Sequence, residues 1–248
     1  MHIYIGFDDT DTTDSPTGTG KLARWFDARL PEGCHCLGVI RQQLLVHPEI
    51  PYTSHNSSAC ILVEMQDPAL LRSVIDEAAE HLARHSVAGS DPGLCVVAET
   101  DPGLSELVSF GRCCTHRVMS QKQALQAAGM GHLSGHGGSN DGIIGAAAAV
   151  GLTAEGWLGR YIEYGDLRGY PEAVSVAELN ARHIAVVSVD RNATAPAPQD
   201  IVLTNGWLRP RRIAHGPVLL VGLKEQGVWQ NIYTKNKKKA FPPVVHLS

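Results

Sequence analysis

The sequence predicts an α+β fold in two domains, and three observations predict it. Short apolar runs rich in β-formers ("HIYIGF", "CHCLGVIRQQ", "ACILVEM", "GLCVVAE") are separated by stretches whose apolar residues recur at helical spacing. The chain has 248 residues, 44% of them hydrophobic, enough to bury a core in one large or two smaller domains. A glycine-dense segment, "GMGHLSGHGGSNDGIIGAAAAVG", interrupts the middle of the chain and sets the expected boundary, giving domains at 1–130 and 131–248.

Taken in order, "HIYIGF" alternates and reads as the first strand. An acidic loop follows, and Gly18 or Thr19 is placed to cap a helix through "GKLARWFDARL". "CHCLGVIRQQLLVH" reads as a second strand, "HPEIPYTSHNSS" as a loop and "ACILVEM" as a third strand. In "DPALLRSVIDEAAEHLARHS" Asp67 caps a helix with Pro68 at its first position. "GLCVVAE" is a short buried strand, and "SELVSFGRCCTHRVMSQKQALQAAGM" is helical over most of its length. Beyond the glycines an Ala-rich helix opens, and "GWLGRYIEYGDL" and "HIAVVSVDRNATAPAPQDIVLT" bear strands. "GPVLLVGLKE" and "GVWQNIYTK" form a closing pair. The ending carries Lys235, Lys237, Lys238 and Lys239, the pattern of a solvated basic tail.

Composition narrows the function. A net charge of -4 offers no general attraction to nucleic acid, so any RNA contact must be local or supplied by a partner. The six cysteines lack the C-x-x-C spacing of a zinc site and read as reduced thiols. No apolar run approaches the roughly 20 residues of a membrane span, and "MHIYIGFDDT" lacks a basic start and cleavage region. A soluble, cytoplasmic protein without a membrane partner is expected.

The chemistry concentrates in the first loop, where Asp8, Asp9, Asp11 and Asp14 fall within seven positions. Carboxylates so close repel one another unless a cation lies between them. Asp8, Asp9 and Asp11 at a strand's carboxyl end suit magnesium, a hard cation that keeps several waters and bridges to phosphates. Helix capping and Asx turns are the competing use, which one or two of the four would satisfy. Gly18, Gly20 and Lys21 at the helix start could face phosphate oxygens, although "GTGK" does not have the spacing of a Walker loop. Thr17 and Thr19 bring hydroxyls to the same place, as caps or as phosphoryl acceptors. Asn56, Ser57 and Ser58 could read a ligand by position. Asn140 and Asp141 suit capping of the Ala-rich helix. His55, His116, His132 and His136 lie in or near polar loops, and the glycines between His132 and His136 argue against a helical zinc pair.

Three segments in this order, "IGFDDTD" with its threonine-bearing helix start, "GGSNDGIIGAAAAVG" and "AHGPVLLVGLKE", resemble the tRNA isoleucine agmatidine synthetases (TiaS). The resemblance spans essentially the whole chain. It implies a kinase-like α/β catalytic domain followed by a ferredoxin-like domain. It also implies an ATP- and magnesium-dependent enzyme that phosphorylates a pyrimidine carbonyl oxygen, which an amine then displaces. Asp8, Asp9 and Asp11 then hold the metal. Thr19 matches the family's autophosphorylated threonine, and Gly18, Gly20, Lys21 and Asn56 meet the nucleotide. Gly20 and Lys21 stand where the family has a threonine and a tyrosine, and "VGLKEQ" replaces "FGIRGE", leaving Lys224. The family's RNA-gripping barrel and zinc ribbon have no counterpart here. The expected partners are therefore a nucleotide and either tRNA, held with a separate RNA-binding partner, or a small pyrimidine-like acceptor. A non-catalytic nucleotide- or RNA-binding accessory protein is the alternative reading.

Overall fold

The computed structural model describes residues 1–53, 55–192, 194–224 and 228–232. The expected α+β class holds: a large, mostly antiparallel sheet carries helices. Two compact units divide the chain, Met1–Leu167 with Pro210–Val218, and Arg168–Arg209 with the residues from Leu219 onward.

The first unit is built on β1 (His2–Asp8), whose partners are β3 (Ser57–Met65) on one side and β4 (Gly93–Ala98) on the other. With β2 (Cys34–Gln43), β5 (His132–Gly135), β6 (Arg160–Glu163) and β10 (Arg211–Ile213) the order is β5-β4-β1-β3-β2-β6-β10. Every neighbouring pair is antiparallel. The alternation read in "HIYIGF" sorts β1 onto two faces. Ile3, Ile5 and Phe7 enter a core shared with Leu22 and Phe26 of the first helical segment and Val74, Ala78 and Leu82 of the next. Those segments are α1 (Thr19–Trp25), continued by a 3-10 turn, and α2 (Leu71–His85). Asp67 caps the 3-10 turn Pro68–Leu70 that leads into α2, accepting from the Ala69 amide at 2.9 Å.

The opposite face of β1 presents Gly6, and there the Ala-rich helix α5 (Gly142–Glu155) lies against the strand backbone. A Cβ on Gly6 would overlap the Ala146 carbonyl. On its far side α5 meets α3 (Leu104–Cys114), where a Cβ on Gly151 would overlap the Leu107 carbonyl. Eleven of the fourteen α5 residues are buried, as a helix apolar all round must be. The glycine-dense segment expected as the domain boundary therefore lies inside the first unit: its small residues let a helix pack between a sheet and a second helix layer. The stretch from Ser105 to Met130, expected to be helical over most of its length, holds two helices, α3 and α4 (Gln121–Ala128), because Ser120 and Gln123 form a capping box that starts a new helix.

The second unit pairs β11 (Gly216–Lys224) with β12 (Val228–Asn231) antiparallel, the expected closing pair. β12 runs parallel to β9 (Ile201–Leu203), which is antiparallel to β7 (Ala173–Ser175). β8 (Ala185–Ser188) pairs with β11. A short α6 (Val176–Ala181) follows β7, begun by a Ser175–Glu178 capping box. Among the described residues no helix is long and apolar enough to cross a membrane. The lysine cluster 235–239 lies outside the described residues.

Candidate functional site

β1 ends at Asp8, and the next residue turns the chain off the sheet with a left-handed backbone (Asp9 φ 50°), a conformation that Asp tolerates better than most residues. Thr10 is buried and closes the loop. Its amide and hydroxyl donate to Thr19 Oγ1 at 3.4 and 3.1 Å, so the loop folds back onto the first residue of α1. Gly18 sits at the N-cap position with extended backbone and no side chain to offer. A Cβ there would come within 3.4 Å of an Asp11 carboxylate oxygen. Asp8, Asp9 and Asp11 are held together by this closure, whereas Asp14 is exposed.

Two further carboxylates reach the cluster from distant parts of the chain. Asp91, just before β4, and Asp141, at the start of α5, both raise the Asp9 pKa by their charge. Asp91 accepts from the Ser139 amide (3.0 Å) and hydroxyl (2.5 Å). Asp141 stands at the N-cap position but makes no cap bond; it accepts from Gln121 Nε2 at 2.6 Å. Asn140 does not cap either and adopts a left-handed backbone (φ 65°).

The consequence is electrostatic crowding. Burial, then the charge of Asp9, push the Asp8 carboxyl up to about 8, against the easing effect of the Asp9 amide. Burial and the charges of Asp91, Asp11 and Asp141 push Asp9 up to about 6. Asp11 is raised by burial, while hydrogen bonds from Thr19 and Thr53 pull it back. Gly145 of α5 lies directly against the Asp8 carboxylate, and a Cβ there would overlap it.

These groups line a cavity of about 360 Å³ within the first unit. Asp8, Asp9, Asp11 and Thr19 form one wall. The loop from Leu44 to Ser57, the segment from Cys114 to Gln121 and the start of α5 supply the others. Asn56, His55 and Ser57 are at the cavity, and the Asn56 side chain is engaged: its Nδ2 donates to the Leu45 carbonyl at 2.6 Å and pins the loop. Among the described residues, Arg117 is the one lysine or arginine in the lining.

Gly18, Gly20 and Lys21 are not in the lining. The Lys21 ammonium lies 4.9 Å from the centroid of the Trp25 ring, and Gly20 makes room for Ile162, whose Cδ1 would sit 2.9 Å from a Cβ. The helix rotation that buries Leu22 and Ala23 turns Lys21 outward. Ser58 faces the interior. His132 begins β5 and His136 directly follows its last residue; both approach Ser134 Oγ at 2.8 Å, away from the cavity lining. His116 is exposed and outside the lining. Lys224 ends β11, and its side chain lies outside the described residues. Arg212, part of the basic "RPRR" run, is buried and bonded to the Thr153 carbonyl and the Tyr161 hydroxyl.

Among the described residues no three His, Cys, Asp or Glu side chains converge into a ready-made metal shell. The all-oxygen set of Asp8, Asp9 and Asp11 nevertheless suits a magnesium ion, which keeps waters and takes one or two carboxylates with substrate phosphates. Burial first, and neighbouring carboxylates second, raise the carboxyl groups of Asp8 and Asp9, and a bound cation would favour their ionised forms.

The fold and this carboxylate loop place the chain among mixed α/β proteins with an acidic site at a strand end. Among solved structures it resembles apo TiaS, an agmatidine synthetase acting on an isoleucine tRNA, with a TM-score of 0.51 and 27% identity over 61% of this chain and 35% of that one. The complex of TiaS with that tRNA and ATP aligns with a TM-score of 0.53 and 27% identity, over 61% of this chain and 36% of that chain. A tRNA fluorescent labelling enzyme aligns with a TM-score of 0.54 and 27% identity, over 72% and 42%. The chain thus spans about a third to two fifths of the length of these structures. No protein-family model matches the sequence, and no curated protein does.

Proposed function

We propose that this protein is an ATP- and magnesium-dependent phosphotransferase or ligase that phosphorylates a carbonyl oxygen and lets an amine displace the phosphate. The observation that carries the reading is the gathering of Asp8, Asp9 and Asp11 with the Thr19 hydroxyl around one cavity, their carboxyl groups raised by burial. The TiaS structures, one of them holding tRNA and ATP, support the choice of nucleotide and of an RNA acceptor.

Asp8 and Asp11 hold the magnesium ion, with Asp9 beside them. The ion, when bound, neutralises phosphate charge and orients the nucleotide for in-line transfer. Thr19, which accepts from Thr10 while lying beside Asp11, presents its oxygen to the cavity as a phosphoryl acceptor. Arg117, rather than Lys21, supplies the side-chain cation for the phosphates. Phosphorylation turns a carbonyl oxygen into a leaving group, and the amine that expels it takes its place on carbon. The kinase-like part of this reading is the unit Met1–Leu167 with Pro210–Val218, and the ferredoxin-like part is the remainder. Cytoplasmic location belongs to the same proposal.

Incubation of the purified chain with radiolabelled ATP and magnesium tests it. The reading predicts label released as phosphate or retained on protein, dependent on magnesium and lost in Asp11→Asn. Tight nucleotide binding with neither hydrolysis nor retained label would replace the enzyme by a nucleotide-binding accessory protein.

A further inference from the structure

The sheet of the first unit carries a feature that the cavity does not use. Arg41 of β2 is in register with Arg160 of β6, and Arg160 with Arg211 of β10. Residues directly opposite in neighbouring strands project from the same face, so three arginines stand in a row across three strands. The Arg160–Arg211 pair is flanked by bonds from the Tyr161 amide to the Pro210 carbonyl and from the Arg212 amide to the Gly159 carbonyl. That pattern makes it a non-hydrogen-bonded pair, in which the two Cα atoms stand only about 4.5 Å apart. All three arginines are half-buried. The neighbours Tyr161 and Arg212 point to the opposite, buried face. The row begins at the cavity: Arg41 Nε donates to Ser57 Oγ at 2.9 Å, and Ser57 is part of the lining.

We propose that the Arg41–Arg160–Arg211 row is a binding track for a run of linked phosphate groups, leading to the edge of the carboxylate cavity. Guanidinium groups bind phosphate oxygens through paired donors. Two inter-strand steps of about 4.8 Å spread the three positions over about 10 Å, more than a single phosphate covers, so the track suits a phosphodiester strand or a polyphosphate chain. Burial, and then the charge of Arg160, hold the Arg41 pKa below its usual value, as expected of two guanidinium groups that feel one another. The track rests on the proposed function only in taking the strand to be RNA. Its test uses neither ATP nor magnesium, so the two ideas fail separately.

The experiment compares the full chain with Arg160→Gln and Arg160→Gln/Arg211→Gln, titrating a single-stranded oligoribonucleotide and, separately, inorganic tripolyphosphate at about 50 to 200 mM salt. For a strand, each replacement lowers the slope of log affinity against log salt by about 0.7 and weakens oligoribonucleotide binding about tenfold at low salt, whether or not tripolyphosphate binding weakens with it. Weakening of tripolyphosphate binding alone assigns the track to a free polyphosphate. Unchanged binding of both overturns the proposal. A thermal melt of each variant accompanies the titrations. Should a variant melt early, modification of the wild-type arginines by phenylglyoxal replaces it: oligoribonucleotide or tripolyphosphate must protect Arg160 and Arg211, and full labelling in the presence of both overturns the proposal.

Discussion

Replacing Asp8 by Asn should stabilise the metal-free protein at neutral and alkaline pH. The Asp8 carboxyl is raised from 3.8 to about 8 in the folded chain, whereas in the unfolded chain it ionises near its ordinary value of about 4. Between those values the folded state holds a proton that the unfolded state has released, so stability falls as pH rises from about 4 and the loss is complete above about 8. At about 1.4 kcal/mol per pH unit the full effect is roughly 6 kcal/mol. Asn cannot ionise and removes this loss. An amide in place of a carboxyl group accepting from the Asp9 amide gives back roughly 1–2 kcal/mol. A net gain of about 4 kcal/mol remains, or about 8–16 °C in melting temperature for a chain of this size. Urea or thermal unfolding in EDTA from about pH 4.5 to 8.5 measures it. The wild type should lose stability across that range, and Asp8→Asn should pull ahead as it does. A gap that is absent, or that stays constant with pH, would refute the idea that burial and the neighbouring Asp9 charge hold the Asp8 carboxyl in its protonated form.

Three other outcomes are expected. Gly6→Ala puts a Cβ into the Ala146 carbonyl, with backbone on both sides, and should destabilise the chain by about 1–3 kcal/mol or more in denaturant unfolding; a neutral result would mean that α5 does not lie against β1. After incubation with ATP and magnesium, mass spectrometry should find added phosphate on a peptide containing Thr19, absent from Thr19→Ala; phosphate only at other residues would remove Thr19 as acceptor. At physiological salt this chain should bind unmodified tRNA weakly, because a net charge of -4 leaves few phosphate contacts. Submicromolar affinity in a filter-binding titration would contradict that and point to contacts beyond the arginine row.

Much of this architecture was legible because local chemistry and tertiary packing agree. The alternation of "HIYIGF", the Asp67-Pro68 helix start and the apolar spacing of α2 each point to the element that forms. The missed elements had signals of their own. "SQKQ" and "SVAE" are capping-box patterns, and they begin α4 and α6. β5 has only four residues, two of them His132 and Gly135, and takes its strand form from pairing with β4. The glycines of "GGSNDGIIGAAAAVG" suggested a domain boundary because spacing alone does not say what lies within contact; Gly145 and Gly151 are small where a carboxylate and a carbonyl press against the helix.

The site was half legible for the same reason. Asp8, Asp9, Asp11 and Thr19 are near in sequence, and the loop that joins them also closes them in space. Asp91, Asp141 and Arg117 arrive from other elements, and only the fold could bring them in. "SDPG" around Asp91 reads as an ordinary turn. Lys21 was attractive by adjacency, but the helix phase that buries Leu22 and Ala23 carries its charge to Trp25.

The central claim is that Asp8 and Asp11 hold a magnesium ion against nucleotide phosphates. Calorimetric titration of an unhydrolysable ATP analogue into the wild type, Asp8→Asn and Asp11→Asn, each with magnesium and with EDTA, tests it most directly. The account predicts binding to the wild type that requires magnesium and weakens at least tenfold in either variant while both remain folded. Equal, magnesium-independent affinity in all three proteins would contradict it and leave the acidic loop as a helix-capping turn.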